Sequence, residues 1–217
     1  MFDYNCDLAQ EYGVYKNEEG LSIASYMSSV NISAGFHAGD ALSIKKALEF
    51  ARDNSLAIGA HIGFPDIAGF GNRKMELTDE ELEAIVLYQI GAISSYAQSM
   101  GLEIEHVRCH GAMYEMLNSD IEFAKKVAFA IKKINPWLVL IVGNFETKET
   151  LENVTQINCA YEETFSEKSS IREFREGSHK PDTLHFTSLE CAKRAHQAKK
   201  PTPLNYNKVG AQIWWKK

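Results

Sequence analysis

Ser29-Val30-Asn31-Ile32-Ser33-Ala34, then Ile44, Ala47, Leu48 and Ala51 on a polar background, then Leu56-Ala57-Ile58-Gly59-Ala60-His61: this stretch decides the fold. The outer two runs are short and largely apolar, which reads as strands. Between them the apolar positions recur at i, i+3, i+4 and i+7, the spacing of one helix face. A strand, a helix and a strand in succession make a parallel pair with a right-handed crossover.

The alternation continues on both sides. Phe2 to Asp7 reads as a strand that starts almost at the first residue. Thr78-Asp79-Glu80-Glu81 is a capping box, in which two side chains satisfy orphan backbone donors. Leu82, Ile85, Val86, Ile90, Ile93 and Ala97 follow as one apolar stripe, and Gly101 is a natural stop. Ile104 to Cys109 is a fourth strand. A second capping box, Ser119-Asp120-Ile121-Glu122, opens a helix that ends at Asn135-Pro136. Trp137 to Val142 is apolar throughout, as a strand covered on both faces must be. A short helix precedes a sixth strand at Val154 to Cys159, and Ser188 to Lys199 forms a last helix before Pro201.

The expected class is α/β: a small or incomplete β/α barrel, or a doubly wound open sheet. Periodicity leaves that choice open. One domain is expected over residues 1–217, with residues 200–217 as a C-terminal tail. In either architecture the chemistry belongs beyond the C-terminal ends of the strands.

Composition excludes several classes. A net charge of −6 does not suit a nucleic-acid binder, which needs a basic face. No apolar run reaches the roughly 18 residues of a membrane span. Asp3 lies where a signal peptide needs a base, so a cytoplasmic location is expected. Cys6, Cys109, Cys159 and Cys191 form no CxxC pair, which suits free thiols in a reducing compartment.

The strand ends carry the chemistry. The first runs into Asn5-Cys6-Asp7, the second into Gly35-Phe36-His37-Ala38-Gly39-Asp40, the third into His61-Ile62-Gly63-Phe64-Pro65-Asp66, and the fourth into Cys109-His110-Gly111. Asp7, His37, His61 and His110 are therefore expected to converge on one mouth. Such a set can bind a divalent metal, with Asp7, His37 and His61 as ligands, or act directly as general acid and base. The residues leave both open. Asp40 either supports this centre or caps the following helix. Arg73, in the glycine-rich Gly69-Phe70-Gly71-Asn72-Arg73 loop, either clamps a substrate carboxylate or makes a surface ion pair. Asn5, Asn31 and Arg108 complete the expected substrate-binding set. His106, four residues before His110 on the same strand face and deeper in the sheet, reads as structural or as a support to the site. Tyr114 and Phe36 read as packing, and His179, His185 and His196 as surface residues.

Several blocks resemble the LamB/YcsF family, the A subunits of the prokaryotic 5-oxoprolinase complex. They are Asn5-Cys6-Asp7-Leu8, Asn31 to Asp40, Gly59-Ala60-His61 with Gly63 and Pro65-Asp66, Gly69-Phe70-Gly71, Leu87-Tyr88-Gln89-Ile90-Gly91-Ala92, and His110-Gly111-Ala112 with Tyr114. The resemblance implies a distorted, seven-stranded type of β/α barrel, akin to glycoside hydrolases and polysaccharide deacetylases. It implies ATP-dependent opening of 5-oxoproline to glutamate, with B- and C-type partner subunits. No GxxxxGK[ST] loop is present, so ATP is expected to act through the complex. A homo-oligomer is compatible with all of this.

The chain also departs from the family pattern. Ala9-Gln10 stands where Gly-Glu is usual, and Arg108-Cys109 where Lys-Pro is usual. Glu167-Lys168 after Phe165 replaces Asp-Arg, and the usual C-terminal Cys-x-His-Gly-Asp is not found. These departures imply a barrel short of one strand and its ligands. Two further readings follow: a metal-dependent amide or ester hydrolase, and a non-catalytic binding subunit. For the latter, Tyr206 and Trp214-Trp215 mark either a contact surface or a tail folded into the barrel gap.

Overall fold

The computed structural model describes residues 2–14, 16, 19–176 and 179–202. The tail expected beyond Thr202, with Tyr206 and Trp214-Trp215, lies outside the described residues.

Seven parallel strands close into a barrel in sequence order. They are β1 (Asp3–Leu8), β2 (Ser29–Ser33), β3 (Ala57–Ile62), β4 (His106–Cys109), β5 (Val139–Val142), β6 (Asn158–Thr164) and β7 (Thr183–His185). Around them run α1 (Gly20–Ala24), α2 (Ala41–Asp53), α3 (Asp79–Ser99), α4 (Gly111–Ser119), α5 (Ile121–Ile134), α6 (Phe145–Thr155), α7 (Ile171–Glu176) and α8 (Leu189–Ala198). The open-sheet alternative is thereby excluded. The expectation of an incomplete barrel is also corrected: β7 pairs with β1 through Asp3–Thr183, Tyr4–Leu184 and Asn5–His185, which shuts the gap.

Side chains on a strand alternate between faces. On β1, Tyr4, Cys6 and Leu8 point outward into the layer of helices, together with Val30, Ile32, Ile58, Ile62, Val107, Leu140 and Leu184. This shell is the main core. The inward face is largely polar. Asp3, Asn5 and Asp7 on β1 meet Ser29 and Asn31 on β2, His106 on β4 and His185 on β7. Val139, Ile141 and Ala160, with Ala57 against them, form a small apolar patch inside. A buried polar interior is tolerable only when its groups are bonded to each other. Asn31 Nδ2 donates to Asn5 Oδ1 at 2.5 Å and to Asp7 Oδ1 at 2.8 Å, while Asn5 Nδ2 donates to Ser29 Oγ at 2.8 Å.

Two local expectations shift. Asp120, not Ser119, caps α5, accepting from the backbone N–H of Glu122 at 3.0 Å and of Phe123 at 3.2 Å. Ser119 ends α4, and its hydroxyl donates to the Glu115 carbonyl at 2.7 Å. The segment expected as strand at Val154 to Cys159 is split: α6 continues to Thr155, Gln156 turns the chain in the left-handed conformation, and β6 starts at Asn158. The Thr78 capping box of α3 is present as expected. No helix among the described residues is long and apolar enough to cross a membrane.

Candidate active site at the barrel mouth

The C-terminal strand ends bring Asp7, His37, His61 and His110 together. Asp7 leaves the end of β1 and His61 lies near the end of β3, with Asp7 Oδ2 and His61 Nε2 3.3 Å apart. His110 follows β4 directly, and its Nδ1 is 3.1 Å from His61 Nε2. His37 follows β2 and stacks on His110, with ring centres 4.1 Å apart. The loop carrying His37 packs closely because Gly39 takes φ +94, where a Cβ would lie 2.6 Å from the Ser33 carbonyl oxygen.

The mouth is held from the side by the segment between β3 and α3. The Asp66 carboxylate accepts from Gly69 N–H and Arg73 Nε, each at 2.9 Å. This staple places the Phe70 carbonyl 2.7 Å from His110 Nε2. From behind, Gln89 of α3 reaches Gly63, accepting from its N–H at 2.9 Å and donating to its carbonyl at 3.0 Å.

Electrostatics set the protonation states. Burial alone would raise the Asp7 carboxyl, but His61, Arg108 and His185 outweigh it and hold the group well below the usual carboxylate range. Burial, then the neighbouring His61, pulls His110 down to about 4. Burial also depresses His37 strongly, helped by His61 and His110. Asp7 is therefore ionised and these two imidazoles are neutral at pH 7.

Beneath the ring lies a buried ion pair. Arg108 on β4 directs Nε at both Glu162 oxygens, 2.9 and 3.0 Å away, and Nη2 at one of them, 2.7 Å away. Its Nη1 reaches Asp7 at 3.5 Å, and its guanidinium lies 4.8 Å from the Tyr114 ring centre. Burial opposes the Glu162 charge, but Arg108 and then His185 hold its carboxyl low.

The expected residues divide by position. Asp7, His37, His61 and His110 form one centre, and Arg108 stands beside it. Asn5 and Asn31 are fully buried below Asp7 and orient it. Asp40 is not in the ring: its carboxylate caps α2, accepting from Leu42 and Ser43 N–H at 3.0 and 2.9 Å. Arg73 is also outside, on the surface and bound to Asp66. Of the expected metal set of Asp7, His37 and His61, the two histidines group with His110, and Asp7 lies beside them, 3.3 Å from His61. One ligating atom from each of His37, His61 and His110 lies within 4.8 Å of the other two.

Two members were missed. His185, expected on the surface, is buried on β7, with Nδ1 3.1 Å from Asn5 Oδ1 and Nε2 3.5 Å from Asp7 Oδ2. Glu162 lies inside the barrel on β6. Glu162 opens the polar run Glu162-Glu163-Thr164, which gives no inward signal, but alternation from the inward Ala160 would have placed it. His179 is exposed and His196 half-buried against Tyr26, as expected of peripheral residues.

Above the ring is a cleft of about 310 Å³, lined by Asp7, Gln10, Phe70, His110, His185 and Phe186 among others. Gln10, standing where a glutamate is usual in the resembled pattern, donates to Asp7 Oδ2 at 3.4 Å. A closed seven-stranded β/α barrel with an ionised aspartate and three histidines at its C-terminal mouth places its titratable groups at the end where β/α barrels carry their sites.

The comparisons with known proteins specify it further. The sequence profile of the LamB/YcsF family matches residues 2–174, and the chain belongs to that family. It is 41% identical over 139 residues to the 5-oxoprolinase A subunit of Clostridium beijerinckii, covering 64% of this chain and 54% of that one. It is 45% identical over 140 residues to the 5-oxoprolinase A subunit of Geobacillus kaustophilus, with the same coverage of 64% and 54%. The chain thus spans about half the length of the curated relatives it matches. The crystal structure of a lactam utilization protein from Thermus thermophilus superposes with a TM-score of 0.82 at 30% identity, covering 91% of this chain and 96% of that one.

Proposed function

We propose that the chain acts as an A-type subunit of a 5-oxoprolinase, opening 5-oxoproline to glutamate with B- and C-type partner subunits. The observation that carries this is the ionised Asp7 lining the cleft, 3.3 Å from His61 Nε2 and 3.5 Å from His185 Nε2, in a chain similar to 5-oxoprolinase A subunits. A lactam is an unreactive amide. Phosphorylation of its carbonyl oxygen by ATP, handled through the complex, makes the ring carbon open to water. Water then adds to that carbon as a base takes its proton, the ring C–N bond breaks as the nitrogen receives a proton, and the acyl phosphate so formed releases phosphate to a second water, giving glutamate. Asp7, adjoining the cleft, is the base. His110, at the rim and anchored through Nε2 to the Phe70 carbonyl, turns Nδ1 inward toward His61.

Neither Arg73 nor Arg108 is an unengaged clamp for the substrate carboxylate, since Asp66 holds one and Glu162 the other. A clamp from a partner subunit is the arrangement this favours. The test is glutamate release from 5-oxoproline and ATP by the chain combined with its partner subunits. Turnover that needs all components supports the reading. Assembly without turnover identifies a binding subunit instead. The second reading, a metal-dependent amide or ester hydrolase, is favoured by the three-histidine cluster alone.

A further inference from the structure

Two backbone carbonyls dictate how the histidine ring is protonated. His61 Nδ1 faces the Arg108 carbonyl at 3.2 Å, and His110 Nε2 faces the Phe70 carbonyl at 2.7 Å. A carbonyl oxygen only accepts, so both of these outer nitrogens carry hydrogen. A neutral imidazole has one such hydrogen. In the neutral rings the inner nitrogens, His61 Nε2 and His110 Nδ1, are therefore bare lone pairs that face each other across 3.1 Å. The Asp7 carboxylate adds negative charge 3.3 Å from the same His61 nitrogen. Arg108 Nη1, 3.5 Å from Asp7 Oδ2, answers the carboxylate, but two lone pairs facing each other at this distance repel unless a cation lies between them.

The third imidazole stands at the same place. His37 is buried and supplies a ring nitrogen within 4.8 Å of those of His61 and His110. It stacks on His110 and meets His61 edge-on. Its Nε2 lies 3.2 Å from Ser33 Oγ, and its Nδ1 is buried with no hydrogen-bond partner among the described residues. Around a tetrahedral ion with metal–nitrogen bonds of about 2.0–2.1 Å, neighbouring ligand atoms lie roughly 3.3 Å apart. The His61–His110 separation already matches. The outer N–H groups of His61 and His110, each donated to a carbonyl, are the arrangement that fixes the tautomer of a metal-ligating histidine.

We propose that His37, His61 and His110 bind one divalent ion of the zinc class, with Asp7 as the adjacent counter-charge. Three imidazoles leave a coordination position open, as in catalytic zinc sites, and His110 and Asp7 both adjoin the cleft. Histidine-rich donors favour zinc, cobalt or nickel over magnesium, which prefers oxygen. The proposal concerns ion binding and stands independently of the substrate.

The experiment uses the purified full chain, stripped with chelator and then titrated with Zn²⁺, Co²⁺ and Mg²⁺. Bound metal is measured by elemental analysis and the Co²⁺ form by its visible absorption. The expected result is a single equivalent of Zn²⁺ or Co²⁺, a tetrahedral-type Co²⁺ spectrum, and no competition by Mg²⁺. His110→Gln and His37→Gln should each lower Zn²⁺ affinity at least roughly 100-fold, the upper end of what loss of a supporting partner costs. Glu83→Gln, on the surface, should leave it unchanged, and circular dichroism checks that each variant is folded. Retention of the single equivalent by both folded histidine variants would overturn the proposal. So would a wild-type chain that takes up no zinc, in which case a proton shared between His61 and His110 is the cation.

Discussion

Replacing Glu162 with glutamine removes the charge facing Arg108 while keeping the shape. Three guanidinium contacts of 2.7–3.0 Å converge on the two Glu162 oxygens, whereas the remaining counter-charge, Asp7, lies 3.5 Å from Arg108. The side chains are 9% and 2% exposed, so water cannot replace what is lost. A glutamine offers one accepting oxygen and turns an N–H₂ group toward the cation. Breaking a buried pair from one side costs about 3–5 kcal/mol, and the surviving Asp7 contact puts the expected loss near about 3 kcal/mol. Equilibrium unfolding in urea at pH 7 reads this directly. With a slope of about 2 kcal/mol/M the midpoint should fall by about 1.5 M at unchanged slope. Arg108→Lys keeps the charge but loses the fork, and should cost only about 1–2 kcal/mol. A Glu162→Gln loss below about 1 kcal/mol, or one no larger than that of Arg108→Lys, would refute the view that this pair holds the barrel interior together.

Other perturbations test the supports of the site. Gln89→Leu leaves the Gly63 N–H and carbonyl without their buried partner and should cost about 2–4 kcal/mol in the same urea assay, with no loss if solvent reaches Gly63. Gly39→Ala forces a side chain into a left-handed conformation against the Ser33 carbonyl, so a drop in stability of about 1–3 kcal/mol is expected; wild-type stability would show that the His37 loop is not built as described. His106, pulled down to about 3 chiefly by burial, is neutral when folded but takes a proton near pH 6.5 when unfolded. Its contribution is present above pH 6.5 and is lost as pH falls toward 3, about 2 kcal/mol having been lost by pH 5. Urea midpoints at pH 7 and pH 5 should differ more in the wild type than in His106→Asn, and equal differences would count against this assignment. Gln10→Glu places a carboxylate where an amide now donates to Asp7, so the acid limb of any Asp7-dependent activity should move to higher pH; an unmoved pH profile would mean that Gln10 does not touch Asp7 in solution.

The barrel was legible where the hydrophobic pattern and the caps agreed. The α3 stripe and its Thr78 box needed no tertiary information, and neither did the apolar runs of β2, β3 and β5. Closure was not legible, because β7 is three residues, Thr-Leu-His, with no periodicity to read. Without that strand His185 reads as a surface residue, although its strand pairing with Asn5 brings it within reach of Asp7. The β6 register failed for a different reason. Val154 and Thr155 favour strands as residues, but Asn144 caps a helix whose buried Leu151 and Thr155 keep it going for another turn. The true strand then starts later and brings Glu162 inward. The four ring residues were found because glycine-flanked acids and imidazoles at successive strand ends are visible in one dimension. Asp40 and Arg73 carried the same local signal, but the first N–H groups of α2 and the Asp66 carboxylate already engage them.

The most direct test of the mouth as a reaction centre is ATP-dependent glutamate release from 5-oxoproline by the assembled complex, with wild-type or Asp7→Asn chain at equal assembly. With Asp7 as the base, turnover should fall at least roughly 100-fold while the complex stays intact. Turnover unchanged by Asp7→Asn would contradict that placement.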